Sequence, residues 1–324
     1  MMLDWQPTAT LETLRARARL LAEVRAFFAE RDVWEVETPV LGHGGSTDVQ
    51  LASLKVDATT PEGLERLWLQ TSPEFHMKRL LAAGSGAIFQ LAKSFRDGEV
   101  GRRHNIEFTM LEWYRPGFSL NQLIEETAAL IIRLLPQSPG PVSRYRYRDL
   151  FREYLAVDPF STGAAVLGKL ASKHAGTDMS EESRDTCLDL LMSLVIEPRL
   201  GQGELSVVVD YPASQAALAR RHQDPEDGVW VASRFELYLK GLELANGYDE
   251  LTDAEEQRAR FGEDNRERRT LGLPEVDVDS RLLAALEHGL PEGAGVALGI
   301  DRVIQLALGK THLKDVLAFS TPSC

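Results

Sequence analysis

Apolar residues recur at helical spacing between residues 10 and 31. Leu14, Leu20, Leu21, Val24, Phe27 and Phe28 fall on one side, with charge between them, which predicts an amphipathic helix. Trp34 to Val40 then reads as a short strand ending at Pro39, and Leu67–Leu69 as a buried strand. Ser72-Pro73 is a helix-start signal, with Ser as cap and Pro at the first helical position, and that helix stops near Gly84. Ala87–Phe95 and Ile106–Tyr114 read as two strands joined by a polar, charged loop. Asn121–Leu135 is a predicted helix ended by Pro136, and residues 136–143 are the best linker candidate. Residues 144–205 read as mostly helical, followed by a strand at Leu205–Val209. Arg234–Leu239 and Leu242–Ala245 form a predicted hairpin turning at Lys240-Gly241. Thr252-Asp253-Ala254-Glu255 reads as a capping box opening a charged helix to about residue 270. A helix at Arg281–His288 ends at Gly289; a strand at Gly295–Gly299 and a helix at Asp301–Leu308 complete the reading. Strands joined by hairpins, without βαβ alternation, predict an α+β fold with an antiparallel sheet. The expected organisation is a single domain over residues 1–324, with a mostly helical insertion at about 136–205.

Composition narrows the class. Hydrophobic residues make up 44% and charged residues 26%, ordinary for a folded chain and unlike a disordered one. The formal charge of −13 argues against a general nucleic-acid binder, which needs a basic footprint. Two cysteines, Cys187 and Cys324, supply neither a disulfide framework nor metal-ligand spacing, and Cys187 fits the apolar face of a helix. No apolar run approaches the ~18–20 residues of a membrane span. Met1 to Leu21 lacks the apolar stretch of a signal peptide. A cytoplasmic protein without a membrane partner is therefore expected.

Some residue patterns suggest chemistry. In a strand, Phe108, Met110, Glu112 and Tyr114 share one face. An acid and a phenol beside a phenylalanine suit a pocket, and an exposed sheet face accommodates them equally. With the hairpin turning at Lys240-Gly241, Tyr238 faces Glu243 and Ala245 faces Glu236, so Glu236 and Glu243 become diagonal neighbours. Such carboxylates repel unless protonated or bridged by a cation, and Mg²⁺ is commonly held by one or two carboxylates plus substrate phosphates. A solvated edge hairpin is the alternative. Glu250 adds an acid nearby in sequence. Arg96 ends a hydrophobic strand, and Arg302 follows the glycine-rich stretch 293–299. Arginine's planar fork suits phosphate oxygens. No P-loop, G-x-G-x-x-G, H-E-x-x-H or G-x-S-x-G motif is present.

Phe95-Arg96, followed by His104-Asn105-Ile106-Glu107-Phe108-Thr109 and Glu112, resembles motif 2 of the class II aminoacyl-tRNA synthetases. Gly295-Val296-Ala297-Leu298-Gly299-Ile300-Asp301-Arg302 resembles their motif 3, and Phe27–Pro39 their motif 1. Thr71-Ser72-Pro73-Glu74, Phe235-Glu236, Glu243-Leu244-Ala245-Asn246-Gly247 and Glu250–Glu255 are similar to the lysyl-tRNA synthetase subgroup. That subgroup carries an anticodon-binding domain before motif 1. Here the motif 1 helix begins near residue 10, so no such domain is expected. The chain thus resembles the truncated lysyl-tRNA synthetase paralogues that attach β-lysine to a lysine of elongation factor P. Residues 211–219 look like their version of the segment, as does Ala297, where the synthetases usually have glycine.

The resemblance implies a class II synthetase-like antiparallel sheet flanked by helices, ATP and Mg²⁺ as cofactors, and a homodimer through motif 1. It also implies roles. Arg96 would sit on the α-phosphate, Arg302 and His104 on the γ-phosphate, and Phe108 on adenine; Glu236 and Glu243 would hold Mg²⁺. Glu112, Tyr114, Asn246 and Glu250 would bind a side-chain ammonium, Ser72 and Glu74 would line the other amine, and Ala297 would favour the β-isomer. The expected partners are elongation factor P and lysine or β-lysine. The sequence departs from the family at Gly98, where motif 2 usually has an acid that Glu99 or Asp97 would replace, and at Ile106, where proline is usual. Arg102 and Arg103 are candidates for partner contact, whereas Arg144–Arg148 reads as a solvated helix start. The competing readings are an RNA-aminoacylating lysyl-tRNA synthetase relative, a non-catalytic regulatory relative, and an amide synthetase using ammonia. An acidic substrate for the last would need a cationic pocket.

Overall fold

The structure is a computed structural model that describes residues 5–324. Met1–Asp4, part of the stretch read for a signal peptide, lie outside the described residues. The fold is α+β, and the chain divides into two compact units. One is drawn from the chain up to Phe118, Arg133–Pro136 and Leu251–Cys324; the other from Ser119–Ile132 and Gln137–Glu250.

In the first unit the helix Leu11–Ala29 is opened by Thr10, whose side chain accepts from the Thr13 amide. Its apolar face buries Val24, Phe27 and Phe28. Phe28 stacks on Phe89 with ring centroids 4.4 Å apart and meets Trp113 at 5.3 Å. Those two rings lie on Ile88–Phe95 and Glu107–Pro116, which pair antiparallel. Gly293–Leu298 pairs antiparallel on the far side of Glu107–Pro116. Alternation then sends Gln90, Glu112 and Ala297, mutually paired in register, to the sheet face opposite Phe89 and Trp113. The expected strand after the first helix shrinks to Trp34–Glu35 and pairs parallel to Ile88–Phe95. A separate small sheet joins Leu41–Gly42, Gly63–Leu69 and Lys55–Thr60. Helices Glu74–Ala82, Ala254–Thr270 and Ser280–Gly289 bury Met77, Leu81, Phe261, Leu282 and Leu286 with Ile88 and Tyr114.

In the second unit Trp230–Leu239 lies between Leu242–Asp249 and Leu205–Pro212, antiparallel to both. Lys240 and Gly241 both have positive φ, 53° and 66°, which makes the tight hairpin turn the sequence predicts. Helices Tyr147–Leu155, Ala164–Ala175 and Arg184–Leu191 bury Phe151, Leu167, Cys187 and Leu188 against Val208, Tyr211 and Tyr238 of the sheet. Cys187 is therefore a core residue.

Several expectations shift. Val142–Arg146 is a strand, parallel to Leu205–Pro212, inside the stretch read as linker and helix. Arg144–Arg148 is not a solvated helix start. Tyr147 and Arg148 are buried, and Arg148 pairs with Asp158 at 2.8 Å and also with Asp227. The capping residue of Ala254–Thr270 is Asp253, whose side chain accepts from the Glu256 amide, one position later than the predicted box. The helix Glu74–Ala82 follows Pro73, and Ser72 Oγ accepts from the Glu74 amide at 3.1 Å, the bond expected of the predicted serine cap, while its hydroxyl donates to Glu112. Finally, a bulge in the hairpin places Leu237 opposite Ala245 and Glu236 opposite Asn246, correcting the predicted Glu236–Ala245 pairing. The Tyr238–Glu243 pairing is as predicted.

Candidate active site

The first unit gathers Arg96, His104, Phe108, Glu112, Tyr114, Ser72, Glu74, Ala297 and Arg302. Glu112 is buried mid-strand and held at both oxygens: the Ser72 hydroxyl donates to one, and the Tyr114 hydroxyl to the other at 3.0 Å. Ser72 Oγ in turn accepts from the Glu74 amide at 3.1 Å. Glu74 pairs with Lys78 at 2.6 Å, one helical turn on, and Lys78 is itself buried. A buried lysine is stable only with such a partner. The sequence reading missed Lys78, although its spacing from Glu74 on a helix was a usable signal. Ala297 sits directly across from Glu112 and keeps partial exposure.

Around the motif 2 turn, the Arg96 guanidinium lies over the Phe108 ring, 5.1 Å from its centroid. Among the described residues, the buried Arg96 Nε has no hydrogen-bond partner, as suits a group that awaits an anionic ligand. Glu99 lies 3.8 Å from Arg96. Gly98 has φ 76°, a conformation that favours glycine, and Asp97 and Glu99 flank it. Arg302 donates to His104 Nε2 at 2.9 Å, which makes that nitrogen an acceptor and the ring neutral. Desolvation, then the positive charge of Arg302, pushes the His104 pKa below its ordinary value. Behind these residues Arg17 pairs with Asp301 at 2.6 Å and donates to Thr109 Oγ1 at 3.1 Å. Asp301 also accepts from the Thr109 amide at 2.8 Å. This buried knot fixes the neighbours of Phe108 and Arg302. Arg17 belongs to the predicted amphipathic helix, and nothing in the helical period marks it out.

The second unit holds Glu236, Glu243, Asn246 and Glu250. Glu236 accepts from Arg234 on one oxygen, and from Tyr211 (2.7 Å) and Tyr238 on the other. Burial first, then the charge of Glu236, raises both phenols well above the ordinary tyrosine pKa, so they remain donors. Burial opposes the charge on Arg234, but Glu236 and the neighbouring acidic groups hold it firmly cationic. Asn246 Oδ1 accepts from Arg234 Nε at 3.1 Å. That leaves its amide NH₂, a donor, for a ligand, which suits an anionic oxygen better than the ammonium expected from sequence. Glu243 stands opposite Tyr238, partly exposed. Glu250 is buried, and its backbone carbonyl accepts from Arg220 at 3.1 Å.

The donor set fits Mg²⁺. An ionised carboxylate offers about four lone-pair positions. Three are used at Glu236, which leaves one for a hard cation that takes its other ligands from Glu243, phosphate and water. Among the described residues no three His, Cys, Asp or Glu side chains form a metal cluster.

The family of class II tRNA synthetases (D, K and N) matches residues 1–323, and the chain belongs to it. Its similar relatives share a narrower name. The elongation factor P–(R)-beta-lysine ligase of Mannheimia succiniciproducens is 50% identical over 317 residues, covering 97% of both chains. The ligase of the same name from Haemophilus influenzae is 49% identical over 318 residues, covering 98% of this chain and 97% of its own. That of Erwinia tasmaniensis is 48% identical over 326 residues, covering 99% and 98%.

Proposed function

We propose that this chain is an ATP-dependent ligase that activates (R)-β-lysine as its adenylate and transfers it to a lysine ε-amine of elongation factor P. The observation that carries the reading is the near-full-length identity to ligases of that name. The buried carboxylate Glu112, set between a serine and a tyrosine hydroxyl, supports it. In the first step a substrate carboxylate oxygen attacks the α-phosphorus and pyrophosphate leaves. Negative charge builds on the α-phosphoryl oxygens, where Arg96 is assigned. Arg302 and neutral His104 hold the γ-phosphate, and Phe108 stacks on adenine. Mg²⁺, held by Glu236 and Glu243, would neutralise phosphate charge when bound. Glu112 and Tyr114 take the side-chain ammonium, Ser72 and Glu74 line the other amine, and the Asn246 amide donates to a carboxylate or phosphoryl oxygen. In the second step the acceptor amine, once deprotonated, attacks the adenylate carbonyl; an amide forms and AMP leaves.

The proposal includes a homodimer through the motif 1 region, a single catalytic domain and a cytoplasmic setting. No helix among the described residues is long and apolar enough to cross a membrane. The test is ATP–pyrophosphate exchange with a panel of amino acids. Exchange strongest with (R)-β-lysine is expected. Exchange strongest with α-lysine would revive the RNA-aminoacylating reading, and silence from folded protein the regulatory one.

A further inference from the structure

Arg234 has no place in the roles above, yet it uses every arm of its guanidinium. One terminal nitrogen donates to Glu236, the other to the Gln215 carbonyl at 2.9 Å, and Nε to Asn246 Oδ1 at 3.1 Å. Its guanidinium carbon lies over the Tyr211 ring, 4.6 Å from the centroid. Tyr211 closes the circle by donating to Glu236. The bulge is what makes this possible, because it brings Asn246 rather than Ala245 opposite Glu236. A counter-ion for a half-buried arginine requires Glu236 alone. Engagement of Asn246 by the same rigid fork adds a geometric link between two side chains assigned to different ligands.

We propose that Arg234 is a positioning residue that locks the metal carboxylate Glu236 and the amide of Asn246 into one unit. It holds one Glu236 lone pair toward the cation and turns the Asn246 NH₂ toward the amino acid. It contacts neither ligand itself. The assignment rests on the adenylate-forming reading above.

Two substitutions separate the links. Lysine at this position keeps a cation on Glu236 but is a point donor without the fork, so it abandons Asn246. Glutamine loses the charge as well. In ATP–pyrophosphate exchange, Arg234→Lys is expected to keep the Mg²⁺ half-saturation within about threefold of wild type while raising the KM for (R)-β-lysine roughly tenfold. That is the scale of one lost polar contact. Arg234→Gln raises both about tenfold. Calorimetric titration of each variant with (R)-β-lysine, without nucleotide, shows the same loss of affinity. Adding Asn246→Ala to Arg234→Lys costs nothing further. Melting curves establish that each variant is folded. If both variants lose metal and amino-acid dependence in parallel with their melting temperatures, Arg234 is only a structural ion pair. If neither parameter moves, it positions nothing. An inactive wild type, silent with every diamino acid, instead overturns the functional reading and this assignment with it.

Discussion

Ala297 and Glu112 are direct partners across two strands, so the methyl of Ala297 stands beside the carboxylate assigned to the diamine. One methyl in a pocket discriminates by about 1–3 kcal/mol, which gives preference rather than exclusion. Ala297→Gly should therefore lower the ratio of kcat/KM for (R)-β-lysine over α-lysine by at least about tenfold. An unchanged ratio would remove Ala297 from the specificity determinants. His104 supports a prediction of a different kind. Its pKa is depressed, so its hydrogen bond from Arg302 is intact at neutral pH and is lost as pH falls through the folded-state value. The unfolded chain takes up the proton first, so whatever stability the neutral ring contributes is fully present above the ordinary histidine pKa and declines on the acid side. Removing the Arg302 charge should move the titration upward. NMR titration of the His104 ring in wild type and Arg302→Gln measures this directly, and coincident curves would mean that Arg302 does not set the charge state.

At the scale of elements, the hairpin Trp230–Leu239 and Leu242–Asp249 decides where the second unit's ligands stand. Gly247 lies opposite Phe235, and a Cβ built there would come within 2.3 Å of the Phe235 ring. Phe235 is fully buried and has little room to withdraw. Gly247→Ala should cost about 1–3 kcal/mol, the usual range for overpacking. The midpoint of urea unfolding reads it, and an unshifted midpoint would show that the strand yields freely. This hairpin also shows what the sequence could and could not tell. Alternation and Lys240-Gly241 located both strands and the turn. The extra residue at Leu244 was invisible, because a period-of-two pattern assumes an unbroken ladder and a bulge costs only one residue. The parallel pairings of Trp34–Glu35 and Val142–Arg146 were equally hidden, since both are short and partnered far along the chain. Motif residues were legible one by one. Of their supports, Lys78 had only its spacing from Glu74 to mark it, and Arg17 and Arg234 had nothing, because a charged residue in a helix or strand looks solvated until its burial is known.

For the whole molecule, charge and chemistry bear on the same question: whether the activated acid goes to protein or to RNA. A net charge of −13 opposes approach of a phosphate backbone, whose binding rests on neutralisation by lysine and arginine. Membership of a tRNA synthetase family argues the other way, so the acceptor needs a test that reads the bond itself. Transfer to a lysine ε-amine makes an amide, whereas transfer to the end of an RNA makes an ester. The two differ sharply in mild base, where the ester hydrolyses and the amide persists. The enzyme, ATP, Mg²⁺ and labelled (R)-β-lysine should be incubated with elongation factor P and bulk tRNA together, and the label followed before and after mild alkali. Base-stable label in the protein fraction, insensitive to ribonuclease, is the expected result. Base-labile label lost with ribonuclease would return the chain to RNA aminoacylation, and would show that a local basic surface outweighs its overall charge.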